Sequence, residues 1–545
     1  MYALMLVVTA KAPNVSMGRR QQRHRKPLQE PQYILVLDLG STFLKCTIFH
    51  LKQSTLSHSS STSTVAAPES VGISRTATPA KKTAPAEHVE IDPGLLFQHI
   101  LKLIEDALTE HNISWEDVIT IGITSQRNTF LVYDAATGRE LTNLVSWKDR
   151  RGDVIAESWN RTWLSRVVRF AGTAMSGLIN WNRAIIMSAI YFRSGHILPR
   201  LSWIRKNMPD VEAAISTGSA KIVSLDSWTV ARLTNDFDFL TDYSCISSWG
   251  FFSPASMRWS RPMLWSFGIP RSILPKIQPT ASHFGRISEK FFGSLKPITA
   301  VVADQQASAF GHYLFRPGQC KITLGTGAFI TANSGGRLIF DNEANIYTLV
   351  GWKTGAAEPA VYLTETLVAG YAETLTECSQ RGVNLRLGIV DNLDEIDELL
   401  CRFLSSEEEE LAVEGNIGQA LDVFICLACM IVAQIKVLSQ RVDLNFPLRV
   451  DGGLSNSTVL LRILATLLGE FIERPEDRET TSSGAAWLAG IGAGLWTLSD
   501  MKAHESHYRA ECETELQTFL IISIKTKTVD EVPPEMPVCR GVRIR

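Results

Sequence analysis

Two closely spaced apolar runs open the patterned part of the chain. Residues 34–37 read Ile-Leu-Val-Leu and residues 44–49 read Leu-Lys-Cys-Thr-Ile-Phe, with a Gly-Ser-Thr turn between them. Short apolar runs bounded by turn residues are typical of buried strands, so this pattern predicts a β-hairpin. Further strands are predicted at 118–124 and 130–133, and a second β-rich block is predicted from residue 298 to residue 330.

Helical periodicity alternates with these strands. Residues 93–110 bring Leu96 and Ile100 close to one face, which predicts an amphipathic helix. Apolar runs predict two more helices, at 417–438 and 482–494. Because strands and helices mix in both halves of the chain, the pattern indicates an α/β protein.

Three stretches lack such patterning. Residues 1–32 hold a short apolar piece followed by a basic cluster, and they predict a disordered basic extension. Residues 54–86 are dominated by Ser, Thr, Ala and Pro, a composition that predicts a flexible insertion because it offers little apolar surface to bury. Residues 501–545 are predicted to form an irregular tail. The rest is divided into two domains, 33–298 and 299–500.

Composition narrows the class of protein. With 545 residues the chain is too long for one hydrophobic core, and its 54 basic and 56 acidic residues leave no strong net charge. This balance argues against a nucleic-acid binder. The most apolar run, 423–433, is shorter than the roughly 20 residues of a membrane span, so no span is predicted. Nine scattered cysteines favour the cytoplasm, and the basic N-terminal cluster leaves a mitochondrial association open.

Three glycine-containing turns, each after a predicted strand, carry the candidate chemistry. They lie at 38–42 (Asp-Leu-Gly-Ser-Thr), 324–327 (Leu-Gly-Thr-Gly) and 450–453 (Val-Asp-Gly-Gly), and we call them the first, second and third glycine turns. Backbone N–H groups in such turns suit phosphate, and a helix after the third turn would favour a nucleotide. Asp38 could hold Mg²⁺. A simple β-turn explains the first glycine turn equally well, so the order of the three matters more than any one of them.

The chain resembles the FGGY carbohydrate kinases, and within that family the glycerol kinases. The segments that carry the resemblance run in family order and are 38–42, 121–127, 146–150, 226–228, 241–244, 303–307, 324–329, 450–453, 472–475 and 484–489. The resemblance implies an α/β fold of two ribonuclease-H-like domains, as in actin and hexokinase, with the active site in the cleft between them. It implies ATP-dependent phosphorylation of a small polyol, glycerol above all, with ATP and Mg²⁺ as the other reactants. A homodimer stays open.

The resemblance also assigns roles by matching position. Asp304 is the implied catalytic base and Asp38 the implied Mg²⁺ ligand. The implied polyol-binding residues are Gln126, Arg127, Trp147, Asp304, Gln305 and Phe329. The implied ATP-binding residues are Gly40, Ser41, Thr42, Lys45, Gly325, Thr326, Gly327, Gly452, Gly453, Asn456 and Ser457. A purely structural role remains open for three of these residues: a helix-capping carboxylate for Asp304, a salt-bridge partner for Arg127, and core packing for Trp147.

Three departures from the family pattern bear on activity. Asn128 stands where glycerol kinases carry a polyol-binding glutamate, and Lys45 replaces a phosphate-contacting arginine. The second domain is predicted to be shortened between 331 and 416, since the usual Gly-x-x-Ala-Pro loop is not recognisable there. These departures, with the acidic run 407–410, leave two alternatives: a catalytically weak nucleotide-binding relative that acts through a partner, or a kinase for another small sugar.

Overall fold

The structure is a computed structural model that describes residues 31–51, 67–83, 88–178, 182–325, 327–380, 416–475, 479–503 and 505. The strands in it are numbered β1 to β22 and the helices α1 to α15, in chain order. Shorter 3₁₀ turns lie at Trp115–Asp117, Arg271–Ile273 and Gly453–Asn456.

A six-stranded sheet, the N-terminal sheet, forms the first core. Its strands in spatial order are β15 (Arg286–Ile287), β16 (Lys296–Ala303), β6 (Val118–Ser125), β1 (Tyr33–Leu39), β2 (Phe43–His50) and β3 (Glu69–Ala77). β1, β6 and β16 run parallel, β2 is antiparallel to its two neighbours β1 and β3, and β3 therefore runs in the direction of β1. Leu35 and Leu37 enter one hydrophobic cluster while Ile34 and Val36 enter another. Both faces of the sheet are therefore covered, which explains the unbroken apolar run in β1.

A second six-stranded sheet, the C-terminal sheet, repeats this plan. Its strands in spatial order are β19 (Ile346–Trp352), β20 (Val361–Leu367), β18 (Ala328–Gly335), β17 (Gln319–Leu324), β21 (Asn445–Asp451) and β22 (Ile472–Glu473). β17, β21 and β22 run parallel, β18 is antiparallel to its two neighbours β17 and β20, and β20 therefore runs in the direction of β17. The first sheet has the same arrangement, with β18 and β20 corresponding to β2 and β3. The repeated topology confirms the predicted α/β fold of two ribonuclease-H-like domains.

Smaller sheets extend the N-terminal part. One contains β4 (Ala80–Thr83), β5 (His88–Ile91), β7 (Phe130–Asp134), β8 (Arg139–Glu140), β9 (Leu144–Val145) and β10 (Ala220–Ser224). Two-stranded pairs join β11 (Leu240–Asp242) to β14 (Lys276–Gln278) and β12 (Phe252–Ser253) to β13 (Arg258–Trp259).

The structure contains 15 described helices, and those predicted from a clear apolar periodicity are among them. They are α1 (Pro93–Glu110), α2 (Asp153–Arg161), α3 (Trp163–Leu178), α4 (Asn182–Ser188), α5 (Ile197–Asn207), α6 (Pro209–Thr217), α7 (Leu225–Thr234), α8 (Tyr243–Ile246), α9 (Arg261–Ser266), α10 (Glu289–Phe292), α11 (Asp304–Gly311), α12 (Tyr371–Gln380), α13 (Asn416–Ser439), α14 (Thr458–Leu468) and α15 (Thr480–Gly492). The helix predicted at 93–110 is confirmed, and the Asp92 side chain caps it by accepting from Leu95 N–H at 2.7 Å. None of the helices in the described part of the chain is long and apolar enough to cross a bilayer.

Helix α15 returns from the C-terminal end of the chain to pack on the N-terminal sheet, against β1, β6 and β16. It also packs closely on α11, because Gly311 and Gly484 carry no side chain at the contact. A Cβ atom at either position would overlap the backbone of the other helix. This packing fixes the start of α11, where Asp304 lies.

Two predictions about domain organisation are wrong. The insertion predicted as flexible at 54–86 contains β3 and β4 in its described part, because an edge strand can be held by backbone hydrogen bonds to β2 with little apolar surface of its own. The strand at 298–302 was predicted to open the second domain, but β16 pairs with β6 in the N-terminal sheet. The first domain therefore continues at least to Ala303.

The predicted shortening between 331 and 416 stays a prediction, since residues 381–415 lie outside the described residues. The structure adds β19 and β20 before that gap, which the sequence pattern did not reveal.

Candidate active site

Three parallel strands bring their carboxyl ends to one edge of the N-terminal sheet. Asp38 pairs with Thr124 of β6, and Ser125 pairs with Ala303 of β16, so Gln126 and Asp304 directly follow paired residues. Neighbouring strands lie about 5 Å apart, which places Asp38 and Asp304 roughly 10 Å apart in backbone terms, with Gln126 between them. The structure thus brings together three predicted residues that are far apart in sequence.

Asp304 begins helix α11 at this edge and is partly exposed. Its Oδ1 atom accepts a hydrogen bond of 2.7 Å from the backbone N–H of Gln305, which orients the carboxylate. Burial raises the pKa of Asp304 above its ordinary value, while the positive charge of Arg127 opposes that rise. A carboxylate with a raised pKa accepts a proton more readily, as a general base must.

Asp38 is almost buried at the end of β1. Burial raises its pKa to about 7, with Lys45 opposing the rise and the negative charges of Asp304 and Glu479 adding to it. The two aspartates therefore repel each other across the strand ends. Such a site favours a cation between or beside the two carboxylates.

The first glycine turn is held in place by a residue from the segment predicted to be flexible. Thr78 Oγ1 donates to the carbonyl of Gly40 at 2.8 Å, and the Thr78 N–H donates to the carbonyl of Thr42 at 3.0 Å. A Cβ at Gly40 would lie 2.6 Å from the Phe43 carbonyl oxygen, so the turn is compact enough to require glycine. Ser41 and Thr42 remain accessible to solvent, as phosphate-binding donors must be.

Lys45 lies beside this turn and bridges to helix α15. Its Nζ atom is 2.6 Å from Glu479 Oε2, and both side chains are partly exposed. Glu479 directly precedes Thr480, the first residue of α15. Lys45 is close enough to Asp38 to oppose the rise of its pKa, and Glu479 is a partner that the sequence did not indicate. The predicted contact of Lys45 with ATP stays a prediction.

Arg127 forms an ion pair with a residue of the C-terminal sheet. Its Nη2 atom lies 2.8 and 3.0 Å from the two carboxylate oxygens of Glu365, and Tyr347 donates its hydroxyl to Glu365 Oε1 at 2.6 Å. Burial disfavours the charged form of Arg127, but Glu365 and Tyr347 outweigh it and raise its pKa. Neither Glu365 nor Tyr347 was predicted, and no local motif marks them. The ion pair between Arg127 and Glu365 links the N-terminal sheet to the C-terminal sheet close to Asp304.

Gln305 leads into a second buried network. Its Oε1 atom accepts from Lys321 Nζ and from Thr323 Oγ1, each at 3.1 Å, and Lys321 also lies 3.2 Å from Asp451 Oδ2. His312 Nε2 approaches the same Asp451 oxygen at 3.1 Å. Burial alone would raise the pKa of Asp451, but Lys321 and His312 outweigh it and hold that pKa far below its usual range. The network ties the predicted polyol side to the third glycine turn.

The second and third glycine turns lie side by side. Gly452 adopts φ of +89°, and a Cβ there would lie 2.5 Å from the Leu324 carbonyl oxygen. A Cβ at Gly453 would meet no neighbouring atom within 4 Å, so this glycine borders open space. In the second turn the Gly325 N–H donates to the Gly327 carbonyl at 3.0 Å. Thr326 lies outside the described residues.

The adenosine side differs in detail from the prediction. Ser457 is buried, and its hydroxyl caps α14 by accepting from the Leu460 N–H at 3.2 Å. Asn456 lies partly exposed in the turn before it, and its carbonyl accepts from Arg474 at 3.5 Å. Of the two, Asn456 is the one with an accessible side chain, and its contact with a base stays a prediction.

Trp147 and Phe329 are the remaining predicted polyol-binding residues, and their contact with a polyol stays a prediction. Trp147 is half-buried, and its backbone N–H donates to Thr129 Oγ1 at 3.2 Å; Phe329 is half-buried beside Gly327. Asn128 has φ of +64°, a left-handed conformation that suits Asn better than Glu, and its side chain accepts from Ser248 at 3.1 Å. The replacement of the usual glutamate by Asn128 therefore agrees with the left-handed backbone conformation at this position.

Two repeated ribonuclease-H-like domains with acidic residues at the strand ends are the architecture that the family resemblance implied. Residues 33–311 match the model of the N-terminal domain of the FGGY family of carbohydrate kinases. The chain is 31% identical to "Glycerol kinase 5" of Gallus gallus over 438 residues, covering 75% of this chain and 82% of that protein. The chain belongs to the FGGY family, and it is a kinase that acts on an alcohol group.

Solved structures agree on the fold. The glycerol kinase of Plasmodium falciparum with ADP superposes with a TM-score of 0.70 at 18% identity, covering 90% of this chain and 99% of that one. A xylulose kinase of Lactobacillus acidophilus superposes with a TM-score of 0.65 at 14% identity, with the same coverage of both chains. At these identities the likeness concerns the fold alone.

Proposed function

We propose that this kinase transfers the γ-phosphoryl group of ATP to a hydroxyl of a small polyol, with glycerol as the preferred acceptor. The observation that carries the proposal is the placement of Asp304 at the end of β16, at the same sheet edge as Asp38 and the first glycine turn and two strands away from them. A base and a phosphate-binding turn at the same sheet edge are what an in-line transfer to an alcohol requires.

The chemistry follows from this placement. The Asp304 carboxylate accepts the hydrogen bond of the acceptor hydroxyl and takes its proton as the oxygen attacks the γ-phosphorus. The bond from that phosphorus to the bridging β–γ oxygen breaks, and ADP leaves with the electron pair. Donors of the first and second glycine turns hold the phosphate oxygens, so the enzyme contributes mainly position and charge.

The donor set at this edge fits Mg²⁺. Asp38 and Asp304 supply carboxylate oxygens, which this ion prefers. The pKa of Asp38 is raised first by burial and then by the negative charges of Asp304 and Glu479, and a bound cation would stabilise the ionised carboxylate against both effects. Asp38 would hold the ion, directly or through water. When bound, Mg²⁺ would neutralise charge on the ATP phosphates.

A second candidate acceptor is a different small sugar or polyol. Asn128 favours it, because the neutral side chain is engaged by Ser248 and cannot offer a carboxylate to polyol hydroxyls. Relative kcat/KM values on glycerol, dihydroxyacetone and pentuloses separate the two. The glycerol assignment predicts the highest value for glycerol, and a higher value for a pentulose would replace glycerol with that sugar while leaving the kinase reaction intact.

We propose the cytoplasm as the compartment of this activity. Cys46, Cys245 and Cys320 are buried free thiols. This state suits a reducing environment.

Adjacent glycines of the third turn should respond differently to substitution. Gly453→Leu is expected to raise KM for ATP about tenfold or more with little loss of stability, because the new side chain enters open space where the nucleotide is proposed to lie. Gly452→Leu should instead destabilise the fold, since it meets Leu324 and the backbone has positive φ. Thermal unfolding and ATP titration of both variants check this contrast. Equal ATP affinity in Gly453→Leu and the wild type would place the nucleotide elsewhere.

Asp38→Asn should reduce activity yet stabilise the unloaded protein at high pH. Because the folded pKa of Asp38 is about 7, above its ordinary value of 3.8, ionising Asp38 disfavours the fold as pH rises from about 4 to 7. Asn avoids this penalty, so the variant should unfold at a higher temperature than the wild type at pH 8 but not at pH 4. Melting curves without Mg²⁺ or nucleotide test the prediction, and an equal Tm difference at both pH values would contradict it.

A further inference from the structure

Helix α3 carries a row of exposed apolar side chains. Trp163 is 75% exposed, Val167 52% and Phe170 77%, and these residues recur at the spacing of one helix face. Leu164, at 57% exposure, flanks the row, and Val154 of the preceding helix is 78% exposed. Single exposed apolar residues are common, but a continuous row of large ones marks a surface that another body covers. We call the surface formed by Trp163, Leu164, Val167 and Phe170 the α3 face.

The other side of the same helix is fixed to the protein. A Cβ at Gly172 would overlap the backbone of Met187 and Ser188, so the glycine lets α3 and α4 pack closely. Ser165 Oγ donates to the Trp159 carbonyl at 2.8 Å, and Arg169 donates to the carbonyl of Asn160 at 3.1 Å. The α3 face is therefore presented outward by a helix whose opposite side is anchored.

The charge on helix α3 is one-sided, because the helix carries Arg166 and Arg169 and no Asp or Glu. Arg166 is exposed, one turn from Phe170, whereas Arg169 donates to backbone carbonyls of the same protein. The nearby Arg161 is paired with Glu157. An exposed cation beside a row of large apolar side chains suits an anionic partner.

We propose that the α3 face docks the kinase on the surface of an anionic phospholipid membrane. An amphipathic helix with Trp, Phe and Leu on one face and arginine at its flank lies in the interfacial plane, with the rings at the headgroup level and the cations near lipid phosphates. The helix would lie on the bilayer and would not cross it. A second copy of the chain fits less well, because two-fold packing of α3 on itself would bring Arg166 near its counterpart with no acidic residue in the segment to pair with either.

Co-sedimentation of the full chain with lipid vesicles tests the proposal. Wild-type protein should bind vesicles of phosphatidylcholine with phosphatidylserine, should bind pure phosphatidylcholine vesicles much less, and should be released by salt. The double substitution Trp163→Ser with Phe170→Ser should weaken binding roughly 100-fold, since two large apolar side chains no longer enter the interface. Arg166→Glu should weaken it roughly tenfold.

Trp265→Ser is the matched control. Trp265 is 86% exposed but lies on α9, outside the α3 face, so its loss should leave vesicle binding unchanged. All variants should keep the kinase activity of the wild type in solution, which shows that they fold. Equal vesicle binding by the wild type and the double variant, or none by the wild type, would overturn the proposal. So would a wild-type dimer that ignores vesicles and dissociates in the double variant, because the α3 face would then join two copies.

Discussion

Asp304→Asn is expected to lower kcat roughly 100- to 10,000-fold, the usual contribution of a general base. The amide has nearly the same shape and can still accept the Gln305 N–H bond, so the fold and the ATP site should be kept. It cannot take the proton of the acceptor hydroxyl. Steady-state ADP release with saturating polyol measures the loss, and nucleotide titration should give nearly the wild-type affinity.

Asp226→Asn is the matched control for Asp304→Asn. Asp226 is a buried aspartate of the N-terminal domain whose pKa is also raised, to about 6, but it lies in α7 and accepts a hydrogen bond from the Thr241 hydroxyl. Its substitution should leave kcat within a few-fold of the wild type. The pKa of Asp304 is raised as well, so the wild-type rate should fall on acidification at a pH above the ordinary range of an aspartate. A kcat for Asp304→Asn close to that of the wild type would remove Asp304 as the base.

Glu365→Leu is expected to lower the free energy of unfolding by about 3 kcal/mol, since it leaves the Arg127 guanidinium without its carboxylate in a nearly buried site. It should also raise KM for the polyol, because Arg127 would lose the two contacts that orient it. Urea unfolding measures the first effect and acceptor titration the second. Replacing both partners, as Arg127→Met with Glu365→Leu, should recover much of the stability but not the polyol affinity.

The pair between Arg441 and Asp341 serves as a comparison. Its arginine is 52% exposed, so Asp341→Leu should remove less than about 1 kcal/mol from the ion pair itself. Equal losses from the two pairs would contradict a special role for the Arg127–Glu365 link. Unchanged polyol KM in Glu365→Leu would limit that link to stability.

Apolar patterns within short stretches of sequence correctly predicted helices and strands whose formation depends mainly on neighbouring residues. The apolar run at 34–37 and the turn after it predicted the β1–β2 hairpin, and the spacing of Leu96 and Ile100 predicted α1. The edge strand β3 could not be predicted from its own sequence, because it has little apolar surface and is held by backbone hydrogen bonds to β2. Likewise, nothing in the sequence of β16 tells which of the two sheets it joins.

The site divides in the same way. Asp38 lies near the end of a recognisable strand, and Gln126 and Asp304 directly follow two others, so their types and positions could be predicted from the sequence with the help of the family resemblance. Glu365 could not, because it lies 238 residues from Arg127 and sits inside an ordinary strand. The sequence also gives no sign of the role of the buried Lys321, because that role depends on contacts with Asp451 and Gln305, which lie on two other elements.

The most direct test is product analysis after incubating the folded, nucleotide-binding protein with ATP, Mg²⁺ and glycerol. Mass spectrometry should detect glycerol phosphate in amounts matching the ADP formed, and Asp304→Asn should yield almost none. If the wild type binds ATP yet phosphorylates neither glycerol nor any sugar of the panel, or if Asp304→Asn forms product at the wild-type rate, phosphoryl transfer at the ends of β1 and β16 is contradicted.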